Sequence, residues 1–181
     1  MSAVPGGLDP SLRIFRAADA ARLASELFRE CFNAGFPEPR DNALPIPTPP
    51  EAWRQYVAAY TWPDGAEETV GFCNWIRHGD VYLQGGMCVR RNFYRRLPRE
   101  HFRECQSRGG LAQMMMAAAG RELDDAVAWF GYCGDAKALA VDLRAGYVTT
   151  HRRYVIVKWF KPLADRERER LIDEIATIGP F

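Results

Sequence analysis

The chain has no apolar run approaching the roughly 18 residues that a bilayer-spanning helix needs; its longest candidate is the stretch around Leu111 to Ala119. An excess of one charge is missing too. The 24 Lys and Arg against 23 Asp and Glu leave a formal net charge of +1, so no whole-molecule attraction to nucleic acid or to an anionic membrane is expected. Cysteine is sparse and shows no framework. Cys31, Cys73, Cys88, Cys105 and Cys133 are odd in number, contain no C-x-x-C pair and do not cluster with the three histidines at metal-ligand spacing. A reducing compartment and no metal are the expectation. Residues Met1 to Pro10 lack the basic patch and apolar block of a secretory signal, which places the expected location in the cytoplasm. No internal repeat or low-complexity segment is present.

What is there suits one globular unit. The 181 residues, 48% of them hydrophobic, predict a single domain over 1–181 that can bury a core without disulfides. Leu12 to Ala17 reads as a strand, and Asp19 as the cap of a helix whose Ala20, Leu23, Ala24, Leu27, Phe28 and Cys31 recur at helical spacing until near Gly35. Phe36 to Pro50 is a proline-rich loop, either a lid or binding wall or a rigid cover packed over the core. A short helix from Pro50 to about Tyr56 leads into a strand from Val57 to Trp62. The turns Pro63-Asp64-Gly65 and His78-Gly79-Asp80 then separate strands at Thr69 to Arg77 and Val81 to Arg90. Gly85 and Gly86 inside the last of these mark a bulge or the close approach of another backbone or a ligand.

A basic insert follows, residues 91–108, in which Arg91, Arg95, Arg96, Arg99, Arg103 and Arg108 are offset only by Glu100 and Glu104; Pro98 can start a short helix there. Leu111 to Asp124 is a helix with an apolar stripe of Leu111, Met114, Met115, Ala118 and Leu123, its methionines core rather than ligands. Val127 to Cys133 is a strand buried on both faces. Asp135 caps a helix that runs through Ala145 and ends at Gly146. Tyr154 to Phe160 is a strand, and 162–181 a charged, amphipathic helical tail carrying Leu171, Ile172 and Ile175.

The glycine turn Arg108-Gly109-Gly110-Leu111-Ala112 is the most informative segment, because it opens a helix whose unpaired N–H groups and positive dipole end suit a phosphate. The order strand 81–90, glycine turn, helix, strand 127–133, helix and Gly146-Tyr147 resembles the GNAT superfamily of acyl-CoA-dependent N-acyltransferases. The resemblance implies an α/β (α+β) fold with a mixed, mostly antiparallel central sheet and helices on both faces. It also implies acetyl-CoA or another acyl-CoA as co-substrate and an amine, on a small molecule or a protein, as acceptor.

The family's Q/R-x-x-G-x-G/A turn aligns with Ser107 to Ala112: Gly110 and Ala112 match, Ser107 replaces the usual Gln or Arg, and Arg108 is displaced by one. The resemblance assigns Arg108, Gly109, Gly110, Leu111, Ala112 and Gln113 to the CoA pyrophosphate. It assigns Met87, Cys88 and Val89 to strand-like pairing with pantetheine, in a groove between the splayed strands 81–90 and 127–133. Asp135 and Ala138 fall where the family has a polar residue and a small residue beside the pantetheine arm.

The catalytic positions depart from the family. Its proton-donating tyrosine corresponds to Asp142, and its strand glutamate to the region of Gln84, which can hydrogen-bond an amine but cannot take its proton. The catalytic candidates are therefore Asp142, Gln84 and Tyr147, with Tyr132 a further candidate acid and Glu26, Glu30, His78, Asp80 and His101 further candidate bases. An aspartate can serve as the acid only if burial raises its pKa, and the plainer expectation for Asp142 is an exposed helix carboxylate. Cys88 and Cys133 are not assigned as nucleophiles. The segment after Tyr147 is shorter than the family's two-strand ending, and the basic insert is longer than usual. The alternative is a catalytically degenerate acyl-CoA-binding or interaction protein. Use of the basic insert to bind nucleic acid or an acidic carrier protein is a third reading.

Overall fold

The computed structural model describes residues 10–36 and 44–181. The chain forms seven strands and six α-helices among those residues. The strands are β1 (Leu12–Arg16), β2 (Trp53–Thr61), β3 (Glu67–His78), β4 (Val81–Val89), β5 (Ala128–Tyr132), β6 (Val148–Thr149) and β7 (Val155–Trp159). The helices are α1 (Ala20–Phe32), α2 (Phe93–Arg96), α3 (Arg99–Ser107), α4 (Leu111–Gly120), α5 (Ala136–Arg144) and α6 (Asp165–Ala176). The sheet order is β1-β2-β3-β4-β5-β7-β6. β1 pairs antiparallel with β2, and β5 and β6 with β7, whereas β4 and β5 are parallel. This is the mixed, mostly antiparallel α/β sheet that the sequence resemblance implies. No helix among the described residues is long and apolar enough to cross a membrane.

The residues group into two compact units, and strands β3 and β4 each contribute to both. In the unit holding α1 to α4, the pleat of β2 separates two packing faces. Val57 and Ala59 join Phe15, Phe72 and Cys88 against Ala20, Ala24 and Leu27 of α1. Ala58, facing the other way, shares the space over Gly71 with Leu111 and Met115 of α4. A Cβ on Gly71 would lie 2.6 Å from the Met115 sulfur, so the small residue lets α4 sit down on β3. The three methionines are buried, as core filling requires.

In the unit holding α5 and α6, Val81 and Leu83 of β4 and Ala128 and Phe130 of β5 pack with Ile172 and Ile175 of α6. The tail helix is therefore part of the core, with Glu167 accepting from the Ala164 amide at its start. Asp19 and Asp135 both cap as expected, the first accepting from the Arg22 amide at 3.1 Å and the second from Lys137 and Ala138 at 3.0 and 2.8 Å.

Four expectations need correction. Helix α1 stops at Phe32, where Asn33 enters the left-handed region with φ 53° and its amide bonds back to Arg29, so Gly35 is not its terminator. The expected helix from Pro50 to Tyr56 is only a 3-10 turn over Pro50–Ala52, and β2 begins at Trp53 because Tyr56 is already paired with Arg16. Helix α4 ends at Gly120 rather than Asp124, although Leu123 stays buried and its carbonyl accepts from the Trp129 indole at 3.1 Å. After Tyr147 the chain does form two paired strands, β6 being only two residues long. Of the proline-rich loop, residues 37–43 lie outside the described residues.

A charged knot holds the end of β4. Arg90, its side chain only 12% exposed, meets Glu30 at 2.7 Å and Glu68 at 3.0 Å, and donates to the Thr69 carbonyl. Glu68 also takes Arg96 at 2.8 Å and the Trp62 indole at 2.6 Å. Removing a cation from such a cluster leaves two carboxylates facing each other out of water. Arg90→Met should therefore cost about 3 kcal/mol in urea denaturation, whereas Glu26→Ala, whose partner lies 4.0 Å away from a well-exposed carboxylate, should be near neutral; equal effects would remove the knot from the account of stability.

Candidate functional site

Two groups of residues named from the sequence are organised by the fold, one in each unit. The first is the glycine turn. Gly109 and Gly110 both have positive φ, 82° and 89°, and Gly110 with ψ 169° lies where side chains are essentially excluded. The Gly109 amide bonds to Gln106 and the Gly110 amide to Cys105, at 3.0 and 2.9 Å, which closes α3 and launches α4 in three residues. The first amide of α4, Leu111 N–H, donates to the Tyr94 hydroxyl at 2.9 Å.

Of the amides from Gly110 to Gln113 expected to face a phosphate, the first two are thus already engaged. Those of Ala112 and Gln113 have no acceptor among the described residues, as the start of a helix dictates. The Gln113 side chain folds back over Gly109. Arg108, about half exposed, pairs with Glu104 at 3.0 Å. Met87 and Val89 are half-buried and Cys88 is buried, with Cys31 donating to the Val89 carbonyl at 3.6 Å. Burial pushes the Cys88 thiol far above its ordinary pKa, so it is an inert apolar group.

The second group is a row of buried polar side chains. Gln84 stands at the last register pair of the parallel ladder, opposite Gly131, and β4 runs on to Val89 beyond it. The Tyr147 hydroxyl donates to Gln84 Oε1, and Gln84 Nε2 donates to Asp142 Oδ1 at 3.4 Å. All three are more than nine-tenths buried, which corrects the expectation of an exposed helix carboxylate at Asp142. Gly131 makes room for the row: a Cβ there would lie 3.0 Å from Ile156 and 3.8 Å from the Tyr147 ring.

Cys133, just past the end of β5, stands between the Asp135 carbonyl, 3.4 Å away, and the Asp142 carboxyl. Burial raises the Asp142 pKa above its ordinary value, while the Gln84 amide and the Cys133 thiol pull it back by bonding to the ionised form. The same carboxyl, after burial, raises the Cys133 thiol, which is therefore no ready nucleophile. Asp135 and Ala138 lie exposed at the start of α5.

The further candidate bases lie elsewhere. Glu30 is held by Arg90 and accepts from the Arg91 amide. His101 shares a hydrogen bond with the Tyr60 hydroxyl. His78 and Asp80 sit with Glu167, Arg170 and Glu174 around a cavity of about 470 Å³ against α6. The sequence reading missed Tyr94. Its only signal was an aromatic pair, Phe93-Tyr94, inside an otherwise basic insert.

No family model matches the sequence, and no curated protein matches it. Solved structures of similar shape do exist. The ribosomal-protein-S18-alanine N-acetyltransferase from Escherichia coli superposes with a TM-score of 0.56 at 11% identity, covering 85% of this chain and 97% of that one. A putative N-acetyltransferase from Escherichia coli, solved bound to coenzyme A, gives 0.51 at 13% identity over 82% and 98% of the two chains. The PaiA N-acetyltransferase from Thermoplasma acidophilum, in complex with coenzyme A, gives 0.51 at 9% identity over 82% and 99%. The fold is that of the GNAT acetyltransferases.

Two outcomes follow from the geometry. Gly110→Ala forces a side chain into a glycine-only conformation and sets its Cβ 3.0 Å from the Tyr94 hydroxyl. It should lose about 1–3 kcal/mol in urea denaturation, while Gly35→Ala, which meets nothing within 4 Å, should not. For Asp142, a carboxyl with a raised folded pKa contributes stability that is complete below the unfolded value and is lost as pH rises through the folded one. Asp142→Asn lacks that loss. Its thermal midpoint relative to wild type should climb as pH rises from about 4, and a difference constant with pH would show that the carboxyl is not perturbed.

Proposed function

We propose that this chain is one GNAT domain that moves an acyl group, most simply acetyl, from acyl-CoA directly to an amine. The observation that carries the reading is the glycine turn. In a fold whose neighbours include two acetyltransferases solved with coenzyme A, it leaves the Ala112 and Gln113 amides at the start of α4 without an acceptor among the described residues. Those residues fit a pyrophosphate: two N–H donors, the positive end of a ten-residue helix and no Cβ at Gly110. Arg108 is close enough in sequence to add charge. Met87 to Val89, on the part of β4 beyond its ladder with β5, would exchange backbone hydrogen bonds with the pantetheine amides, and an amide of that segment would stabilise the developing oxyanion.

The donor supplies an activated thioester, so the protein's share is chiefly positioning and proton management. Asp142 would hold the proton for the departing thiolate, which its burial allows, and Gln84 would orient it. No side chain of the buried row can deprotonate an ammonium with Gln84 in the family's usual carboxylate position. The acceptor therefore reacts as the free amine, and the proton it sheds on forming the amide restores the Asp142 carboxyl once that carboxyl has protonated the thiolate; turnover should rise with pH as the amine loses its proton and fall as Asp142 ionises.

Gln113→Glu tests the reading without endangering the fold, because a carboxylate in the first turn of a helix is favourable while it repels a phosphate. The variant should keep its thermal midpoint and lose at least about tenfold in affinity for CoA by calorimetry, a change of 1.4 kcal/mol, with binding of pantetheine unaltered. Unchanged CoA binding would misplace the site. Acyl transfer itself is read as acceptor-dependent release of free thiol from acetyl-CoA across a panel of amines. The substitutions at Gln84 and Asp142 favour one other reading, an acyl-CoA-binding protein without turnover, and CoA binding with no thiol release from any amine would establish that reading instead.

A further inference from the structure

We infer that Tyr147 is a positioning residue: its hydroxyl fixes the Gln84 amide with Nε2 toward Asp142 and so decides how firmly that carboxyl keeps its proton. The inference deepens the proposed role of Asp142 and rests on that reading for its effect on turnover, though not for its effect on the carboxyl.

A primary amide between a hydroxyl and a carboxyl has two orientations. In the one observed, Tyr147 donates to Oε1 and Nε2 donates to Asp142 Oδ1. Nε2 can serve an ionised carboxylate well and a protonated one poorly. In the flipped orientation Oε1 would face Asp142 and accept from its carboxylic O–H, favouring the protonated form. The two orientations thus pull the same proton in opposite directions, and the difference between them is set at the far end of the amide. Once flipped, the amide would present N–H groups to Tyr147, and the hydroxyl hydrogen now bonded to Oε1 would lose that acceptor inside the protein.

The surroundings make this link strong. Gln84 and Tyr147 are 9% and 2% exposed, so water does not substitute for either bond. The groups that bear on Asp142 from the packed elements are few. Gln84 approaches from β4 and Cys133 from the end of β5, with Asp135 acting on Cys133. On β7, Lys158 directs its ammonium over the Trp129 and Phe160 rings, 5.3 and 5.4 Å away. Among the described residues, no cation is one of the groups that shift the Asp142 carboxyl. Orientation of one neutral amide is then the main adjustable influence on it, opposed to burial.

The test is a carbon-13 carboxyl NMR titration of aspartate-labelled protein without ligand, the Asp142 resonance being assigned from the Asp142→Asn spectrum. Tyr147→Phe keeps the ring that packs over Gly131 and removes only the hydroxyl. Its Asp142 midpoint should move up by about one pH unit, a tenfold change in proton affinity. Gln84→Met removes both amide groups and should also raise the midpoint, and adding Tyr147→Phe to it should then change nothing, since the hydroxyl acts only through the amide. An unmoved midpoint in Tyr147→Phe, or a further shift in the double variant, overturns the inference. Where turnover is measurable, the alkaline limb of kcat should move up in Tyr147→Phe while KM for acetyl-CoA stays constant. A chain that transfers no acyl group would defeat the function reading and leave the titration to decide this one.

Discussion

The four-residue parallel ladder between β4 and β5, Val81 to Gln84 against Ala128 to Gly131, is the constraint on which the proposed chemistry depends. Parallel neighbours cannot be joined by a tight turn, so the chain between them, residues 90–127, has room for three helices and the glycine turn. The ladder is buried on both faces, which is why its strands read as nearly continuous apolar runs. One face, Val81, Leu83, Ala128 and Phe130, is filled by α6. The other carries Tyr82 and Trp129 and then, at the last pair, Gln84 opposite Gly131. A polar side chain is tolerable there because Asp142 and Tyr147 close its hydrogen bonds, and those partners reach it because Gly131 has no side chain to hold Ile156 and Tyr147 away. A one-residue slip would face Gln84 into the α6 core and dismantle the row.

What the sequence made legible was local chemistry. Asp19 and Asp135 announced helix starts, Gly65 and Gly79 announced turns with positive φ, and Gly109-Gly110 announced a sharp entry into a helix, because each need is met within a few residues of the chain. Non-local effects were hidden. Gln55 and Tyr56 follow closely on a proline in helix-start position, yet they lie in a strand because β1, some forty residues earlier, pairs Arg16 with Tyr56 and brings the Ala17 amide to the Gln55 carbonyl. Strand β6, at two residues, is too short to carry an alternation pattern. Tyr94 was invisible as a partner of Leu111, since nothing in an arginine-rich stretch says that one aromatic turns back to a helix start seventeen residues on.

The candidate site was legible to a similar depth. Resemblance picked out Gln84, Asp142 and Tyr147 one at a time, from their positions in a motif. That they form one hydrogen-bonded row depends on strand register and on the missing side chain at 131, neither of which a motif records. The glycine turn was identified correctly as a helix start, but the number of amides it offers was overestimated. Backbone groups at a helix entrance are shared among turn closure, side-chain caps and ligands, and here α3 and Tyr94 take the first two.

In the proposed mechanism a carboxyl at position 142 does the work of the family's phenol, and that changes what the fold must supply. A tyrosine keeps its proton at neutral pH through an intrinsic pKa of about 10, so its protonation tolerates a loose environment. An aspartate starts near 4 and keeps a proton only through exclusion of water and through the orientation of its neighbours. Packing then becomes a chemical variable. Burial, the side chain of Gln84 and the thiol of Cys133 each act on the proton affinity of the proposed acid. Such a site is more easily silenced by a packing defect than one built on a phenol, and more easily tuned. On the proposed reading, small changes at Gly131 or Tyr147 would alter proton affinity before they altered the fold.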